Sequence, residues 1–481
     1  MLLLAAILLF LSALAGTAEP VSSLLRFIPK DYNEGWNAYW ARDAWVSGIL
    51  YPSANGIVVN NYPPLSFYIV GVFGQLVGDN IFAGRILALA SLVVVTIGIY
   101  LWLRVAGLAR TALVSAALFI AAFIAYAPGY VAMDDPQLIG HAFMVAAGFI
   151  LWRRDFSTGA LAIAALLTLL GGLTKHLLIP FPLAITVWIA IYRRDCLVRW
   201  LGFAGAFFVV ALAIVAWRHV TLFHNIAVER TYSTHLAGRA LQRLFRQFPL
   251  VLIISGIGVL FAPEKNNVNR RFASFTRIYF LLAALFGTIA ATGEGVDRNA
   301  FFDLLIAAAL AVGATLDFLL SRWARQSLTA VAVLLAALAL PVALQAGSNL
   351  RGNLMLASSS GKREAAYLAE IAMIKEAKTG AAACEMLALC YWAGQPFAVD
   401  FFNYGQKLRK DLSAADECDQ LLGNGSITIL QVDAPRGGML SQRLPNSCNQ
   451  VIEDYFTPVL STEFGVLLHR RTQWHSAPKD R

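Results

Sequence analysis

Residues 81–103 read IFAGRILALASLVVVTIGIYLWL. A run this long and this apolar is what a helix needs to cross a hydrocarbon layer, which takes roughly 17–25 residues. Similar stretches lie near 2–18, 111–127, 138–152, 158–173, 177–192, 200–217, 249–262, 274–292, 300–319 and 327–345, making eleven in all. The chain is 58% hydrophobic and 14% charged, with a mean hydropathy of +0.63. A soluble domain would carry about a quarter charged residues. Inside lipid only helices satisfy their own backbone. The expected architecture is an all-α polytopic membrane bundle over residues 1–345, with an external loop at 19–80 and an external α/β domain at 346–481.

Lys and Arg in the short loops set the orientation. One set of loops holds Arg104 and Arg110; Arg153 and Arg154; Arg193, Arg194 and Arg199; Lys265, Arg270 and Arg271; Arg322 and Arg325. This set alternates with the other and faces the cytoplasm. The loop at 19–80, the Asp134-Asp135 turn, Lys175, residues 218–248, the Asp297-Arg298 turn and the C-terminal part then lie outside. The net charge of +9 is largely this topology signal; it points to membrane lipids and calls for no nucleic acid. Ala13-Leu14-Ala15 resembles a signal-peptidase site, but no basic segment precedes it, so residues 2–18 are expected to stay as the first helix. Cys384, Cys390, Cys418 and Cys448 share the external part and permit two disulfides, with all three connectivities open. Cys196 sits at a cytoplasmic helix end.

The first external loop carries Asp31-Tyr32-Asn33-Glu34-Gly35-Trp36, then Tyr39, Trp40 and Trp45. Aromatic rings at near-helical spacing with charges between them predict an amphipathic helix lying in the membrane interface. A second interfacial or partly inserted helix is predicted after Pro63-Pro64, running to about Val77, because proline suits a helix start. Beyond residue 345 the composition turns polar. A helix is predicted over 364–377, strands over 381–386 and 426–432, and a hairpin near 458–469.

Asp31 and Glu34 are three apart and share a helix face. Carboxylates just outside a membrane can serve as a general base on a hydroxyl, ligate a divalent cation, or cap and solvate the helix. Asp134-Asp135 can likewise cap the next helix, face a substrate, or hold a metal with Asp31. Lys175, Arg218, Arg230, Arg239, Arg243, Arg246 and Arg298 run against the positive-inside pattern. Anionic headgroups would account for the cluster at 218–248. Lys175 reads as a loop lysine at a helix junction, whose removal would change stability by only about 0.5 kcal/mol.

The order of an acidic pair, an aromatic helix, Gly48-Ile49-Leu50-Tyr51-Pro52 and Asn61-Tyr62-Pro63-Pro64-Leu65 before a helix resembles the first luminal loop of GT-C glycosyltransferases. More narrowly it resembles the bacterial members related to the aminoarabinose and protein O-mannosyl transferases (family 39/83-like). Gly172-Leu173-Thr174-Lys175-His176 is similar to that group's lysine-containing turn. Gly293-Glu294-Gly295-Val296-Asp297-Arg298-Asn299-Ala300 is similar to its glycine-rich turn. Ala393-Gly394-Gln395-Pro396 with Asp400-Phe401-Phe402-Asn403-Tyr404-Gly405-Gln406 resembles its C-terminal external domain. The acidic pair departs from the family by being Asp-x-x-Glu rather than adjacent.

The resemblance implies an inverting sugar transfer from a polyprenyl-phosphate sugar to a hydroxyl of a lipid or glycan acceptor. The reaction would run on the outer face of a bacterial inner membrane, with the C-terminal domain in the periplasm. It implies Asp31 and Glu34 as the catalytic carboxylates and Lys175, Arg230, Arg239 and Arg298 as donor-phosphate cations. Asp134, Asp135, Tyr62 and Asn299 would position the acceptor or a metal. The resemblance fixes no cofactor and leaves a divalent cation open. Two other classes stay open: a transporter or flippase for a lipid-linked or polar solute, and a non-catalytic envelope assembly protein. Transport would place charges and broken helices at mid-membrane. The spans here read as nearly free of ionisable residues, with Asp303 and Asp317 near helix ends.

Overall fold

The structure, a computed structural model, describes residues 1–52, 57–226, 230–261, 267–323, 327–348, 350–376, 380–409, 414–433, 441, 443–462 and 464–471. Lys265 and Arg325 lie outside these residues, as do the side chains of Arg270 and Arg322. Every predicted span coincides with a helix: Leu2–Gly16, Asn80–Val105, Ala109–Tyr126, Gln137–Arg153, Thr158–Thr174, Pro180–Tyr192, Arg194–Arg218, Pro249–Phe261, Asn267–Ala290, Phe302–Trp323 and Leu328–Ser348. Among the described residues, six helices are long and apolar enough to cross a membrane. The others are shorter. The 13 residues of Pro180–Tyr192 reach only about 20 Å, against a hydrocarbon thickness of roughly 30 Å.

The second loop helix forms as expected, Leu65–Val77, starting directly after Pro64. The first, Tyr32–Val46, does not lie on the membrane surface. Residues 34–41 are all buried. The reason is a docking the local pattern does not show: the C-terminal helix Leu387–Trp392 packs across it. A Cβ on Gly35 would lie 2.2 Å from the Ala388 backbone nitrogen, so only glycine allows the approach. Trp36, Tyr39 and Trp40 face the protein instead of headgroups. Trp36 Nε1 donates to Asp400 Oδ2 at 3.1 Å, and the Tyr39 hydroxyl donates to the Gln395 carbonyl at 2.9 Å. Tyr39 and Phe397 stack with centroids 4.8 Å apart. Only the far end, with Trp45 half exposed, keeps an interfacial character.

The C-terminal part is α/β. Helix Ser360–Lys375 leads into a four-stranded sheet of β1 (Ala381–Cys384), β2 (Ile427–Asp433), β3 (Phe456–Ser461) and β4 (Gly465–Arg470), in the order β1-β2-β4-β3. β1 and β2 are parallel and are joined through helices, as a parallel pair requires. β4 is antiparallel to both β2 and β3. The four C-terminal cysteines pair as Cys384–Cys390 and Cys418–Cys448, one of the three open connectivities. The first bridge ties β1 to the Leu387–Trp392 helix that sits on Gly35. Cys196 is free and buried.

Candidate active site

Asp31 is the N-cap of the loop helix and accepts a hydrogen bond from the Asn33 amide at 3.0 Å. That single contact leaves carboxylate oxygen capacity unused. Burial pushes the carboxyl up to about 6, partly offset by the Asn33 N–H and by Arg443. Glu34, one turn on, is placed differently. It is fully buried and meets Arg85 in a two-pronged pair, Nε to Oε1 at 2.8 Å and Nη2 to Oε2 at 2.6 Å. The Lys30 and Asp134 amides donate to the same two oxygens at 2.9 and 3.2 Å. Burial alone would raise Glu34, but Arg85 and Lys30 outweigh it and hold the carboxyl below its usual value. The expected sharing of a base role between the two carboxylates therefore meets a geometry in which Glu34 is saturated.

Arg85 also donates to the carbonyls of Ser23, Arg26 and Ile28 at 3.1, 2.9 and 2.6 Å, lacing the chain before Asp31 into place. Lys30 reinforces this lacing by donating to the Ala132 carbonyl at 2.8 Å. Ala132 has φ +51°, a left-handed conformation that costs roughly 1–2 kcal/mol for a residue with a Cβ. Arg85 was not singled out from sequence. Its signal was there: a lone arginine five residues into an apolar span, where ionisable groups are kept only with partners.

Asp134 and Asp135 diverge. Asp134 is buried beside the Glu34–Arg85 pair, and its Oδ2 has no hydrogen-bond partner among the described residues. Burial, with Glu34 and Asp135 nearby, pushes its carboxyl well above the usual range. Asp135 faces Lys175, with Nζ to Oδ2 at 3.4 Å. Lys175 also donates to the Tyr62 hydroxyl at 2.8 Å. It is 1% exposed, so the expected surface lysine is a buried one. Burial would lower it, but Asp135 and Tyr62 prevail and keep it raised and charged. Asp135 Oδ1 accepts from the Gln137 amide at 2.8 Å, and Gln137 Nε2 donates to the Asn299 carbonyl at 2.7 Å. Tyr62, Lys175, Asp135, Gln137 and Asn299 thus form one hydrogen-bonded chain drawn from four separate segments.

This chain borders a cavity of about 910 Å³, its open mouth included. Tyr62, Lys175, Arg230 and Asn299 line it together. So do Tyr32, Asn33 and Trp36 of the loop helix, Tyr130, His176, and Phe402 and Asn403 of the C-terminal domain. Asp31 immediately precedes this wall. The Asn299 side-chain oxygen has no partner among the described residues. Burial pushes the Tyr130 hydroxyl well above its usual range, with the charges of Asp135, Asp297 and Asp31 adding to the effect. Two expected donor cations are elsewhere. Arg239 is exposed on the Thr234–Gln247 helix. Arg298 turns to the Tyr126 carbonyl and ring. No group of three or more His, Cys, Asp or Glu side chains arranged to hold a metal is found among the described residues.

Beside the cavity runs an apolar groove of about 1020 Å³, open side included, lined by Leu65, Leu169, Leu173, Val210 and Ile214. Its lining also includes Arg218 and His219. Leu173 is two residues from Lys175, and Pro64 two from Tyr62, so groove and cavity share a wall.

The helical bundle thus carries a polar cavity at one end, bordered by residues of the small α/β domain. Residues 61–218 match the family described as dolichyl-phosphate-mannose-protein mannosyltransferase. The whole chain resembles ArnT from Cupriavidus metallidurans bound to undecaprenyl phosphate, with 14% identity and a TM-score of 0.60 over 97% of this chain and 98% of that one. The apo state of the same protein gives 14% identity and a TM-score of 0.58 over 96% and 97%. The Archaeoglobus fulgidus oligosaccharyltransferase in complex with zinc and sulfate gives 12% and 0.51 over 89% and 68%. No curated protein sequence is a significant match.

Proposed function

We propose that the chain is a membrane glycosyltransferase that moves a sugar from a polyprenyl-phosphate donor to a hydroxyl of a lipid or glycan acceptor, with inversion. The observation that carries this reading is the placement of a buried, charged Lys175 in the lining of a polar cavity, two residues from Leu173 of the apolar groove. An amphiphile with an anionic junction fits that pair of spaces. The prenyl chain lies in the groove toward the bilayer. The phosphate meets Lys175 and Arg230, and the sugar fills the cavity, where the free Asn299 oxygen can accept from a sugar hydroxyl.

In the transfer, Asp31 takes the proton of the acceptor hydroxyl. The new C–O bond forms at the anomeric carbon as its bond to the phosphate oxygen breaks. One displacement inverts that carbon. The electron pair leaves on the phosphate, where the preorganised Lys175 cation, shielded from solvent, stabilises it. Glu34 acts by position: with Arg85 it fixes the segment that presents Asp31. Asp134 is assigned to the same buried support, and Asp135 to holding Lys175. Cavity-lining Gln137 and Lys175 sit at helix ends opposite the arginine-rich ones, such as Arg153. With arginines inside, the cavity and the C-terminal domain face the periplasm of a bacterial inner membrane.

The test is incubation of the purified chain with a panel of polyprenyl-phosphate sugars and membrane-lipid or glycan acceptors, with products read by mass spectrometry. Transfer from at least one donor supports the reading. No product from any donor, together with no binding of polyprenyl phosphate, overturns it.

A further inference from the structure

Tyr32 lines the cavity directly after Asp31, and its ring is held between two residues of the C-terminal domain. Phe402 packs on it with centroids 5.4 Å apart, and the Arg443 guanidinium carbon lies 4.1 Å from the ring centroid. Arg443 is not loosely placed. Its Nη2 pairs with Asp433 Oδ2 at 3.3 Å. Its carbonyl accepts from Arg409 Nη2 at 3.1 Å and approaches the Phe401–Leu408 helix at Gly405, where a Cβ would sit 2.0 Å from that oxygen. Two residues before it, the Ser441 hydroxyl bonds Glu385 and accepts the Leu444 amide. Five residues after it, Cys448 is bridged to Cys418. Arg409 in turn pairs with Glu294 of the glycine-rich turn at 2.6 Å. One corner of the domain therefore grips both the first loop and the turn that carries Asn299.

We infer that Arg443 is a positioning residue for the transfer proposed above, on which this inference rests: the C-terminal domain delivers a cation against Tyr32, and that contact orients Tyr32 and the Asp31 carboxylate toward the cavity. The charged groups acting on Asp31 come from three elements. Arg443 comes from the C-terminal domain, Glu34 from the same helix, and Asp135 from the turn before the Gln137–Arg153 helix. The first favours the ionised base and the other two oppose it. Through Tyr32, Arg443 thus couples the C-terminal domain to the surroundings of the base, across 411 residues of intervening sequence.

The test uses the full chain in detergent. A base must be unprotonated to act, so the rate falls as pH drops through its pKa. Arg443→Gln leaves Asp31 facing two anions and moves the acid limb of the kcat profile up by about one pH unit, the lower end of what a neighbouring arginine does to a carboxylate. Arg443→Lys restores the limb. Asp433→Asn leaves Arg443 in place without its partner and moves the limb the other way, to lower pH. A contact that only supports the fold would lower the rate equally at every pH, and that result overturns the proposal. A second readout does not need turnover: infrared titration of the carboxyl band that is lost in Asp31→Asn. An unmoved band in Arg443→Gln overturns the role of Arg443 even if the transferase reading holds. A moved band in a chain that turns over no donor supports the coupling while the transferase reading fails.

Discussion

The guanidinium of Arg85 meets the carboxylate of Glu34 through two parallel hydrogen bonds, and both side chains are fully shielded from solvent. The pair joins the N-terminal end of the Asn80–Val105 helix to the first turn of the loop helix. Tyr32, Asn33 and Trp36, which line the cavity, all lie within two residues of that joint.

Glu34→Gln therefore leaves a buried arginine without its counter-charge. Breaking one side of a buried pair costs about 3–5 kcal/mol. The variant should show a sharply lower thermal midpoint in detergent and a reduced yield of folded protein. Near-native melting with abolished turnover would return Glu34 to the chemistry.

Lys175→Met should harm both donor use and the fold, because the lysine is buried against Asp135 rather than set in a surface loop. Losing a charged hydrogen bond to the phosphate weakens donor binding by roughly 1.5–3 kcal/mol, which is about 10- to 150-fold. Adding Asp135→Asn neutralises the stranded carboxylate. The double variant should recover the melting temperature but not the donor affinity, measured by titration with polyprenyl phosphate. Recovery of both would remove Lys175 from the donor site.

Asp31→Asn should cut turnover by about 10²–10⁴-fold, the usual worth of general-base assistance. Asparagine caps a helix as well as aspartate does, so the loop helix survives. The wild-type rate should have an acid limb near pH 6, the value to which burial pushes the carboxyl. The stability sign runs opposite to that of a salt-bridged aspartate. The folded protein holds the Asp31 proton more tightly than the unfolded chain, so this contribution is present at low pH and is lost as pH rises from about 3.8 through 6. Thermal scans at pH 5 and 7.5 should show Asp31→Asn gaining on wild type at the higher pH. A constant difference between the two would contradict the shifted carboxyl.

A periplasm-active reporter fused at the C-terminus should be active, because the arginine-rich helix ends lie opposite the cavity. Activity of a cytoplasm-only reporter at that point would invert the topology and remove the oxidising compartment the two disulfides need.

Much of this was legible in the sequence because membranes impose long-range order on local patterns. Length and apolarity marked all eleven helices, and Tyr62, Lys175, Arg230 and Asn299, named from four separate motifs, line one cavity. What local patterns could not show was burial by distant segments. The Trp36, Tyr39 and Trp40 spacing is what an interfacial helix displays; only the docking of Leu387–Trp392 converts it to core. Glu34 looked like the partner of Asp31 because the two are neighbours in the chain. Its real partner, Arg85, lies 51 residues away inside a span. Arg443 carried no local signal, since nothing around it announces contact with Tyr32. Arg239 and Arg298 share the charge of the donor-site cations but not their direction.

The backbone contact between Gly35 and Ala388 also sets an order of events during synthesis. About 350 residues separate the two positions, and at a translation rate of about 5–20 residues per second the first loop emerges roughly 18–70 s before its cover. During that interval Trp36 has Tyr62 and Phe67 to pack on but lacks its C-terminal cover. The Arg85 clasp on Glu34 needs only the first 85 residues, so it can form at once and hold the loop in shape. The site is thus begun by a segment made early and finished by one made about 350 residues later.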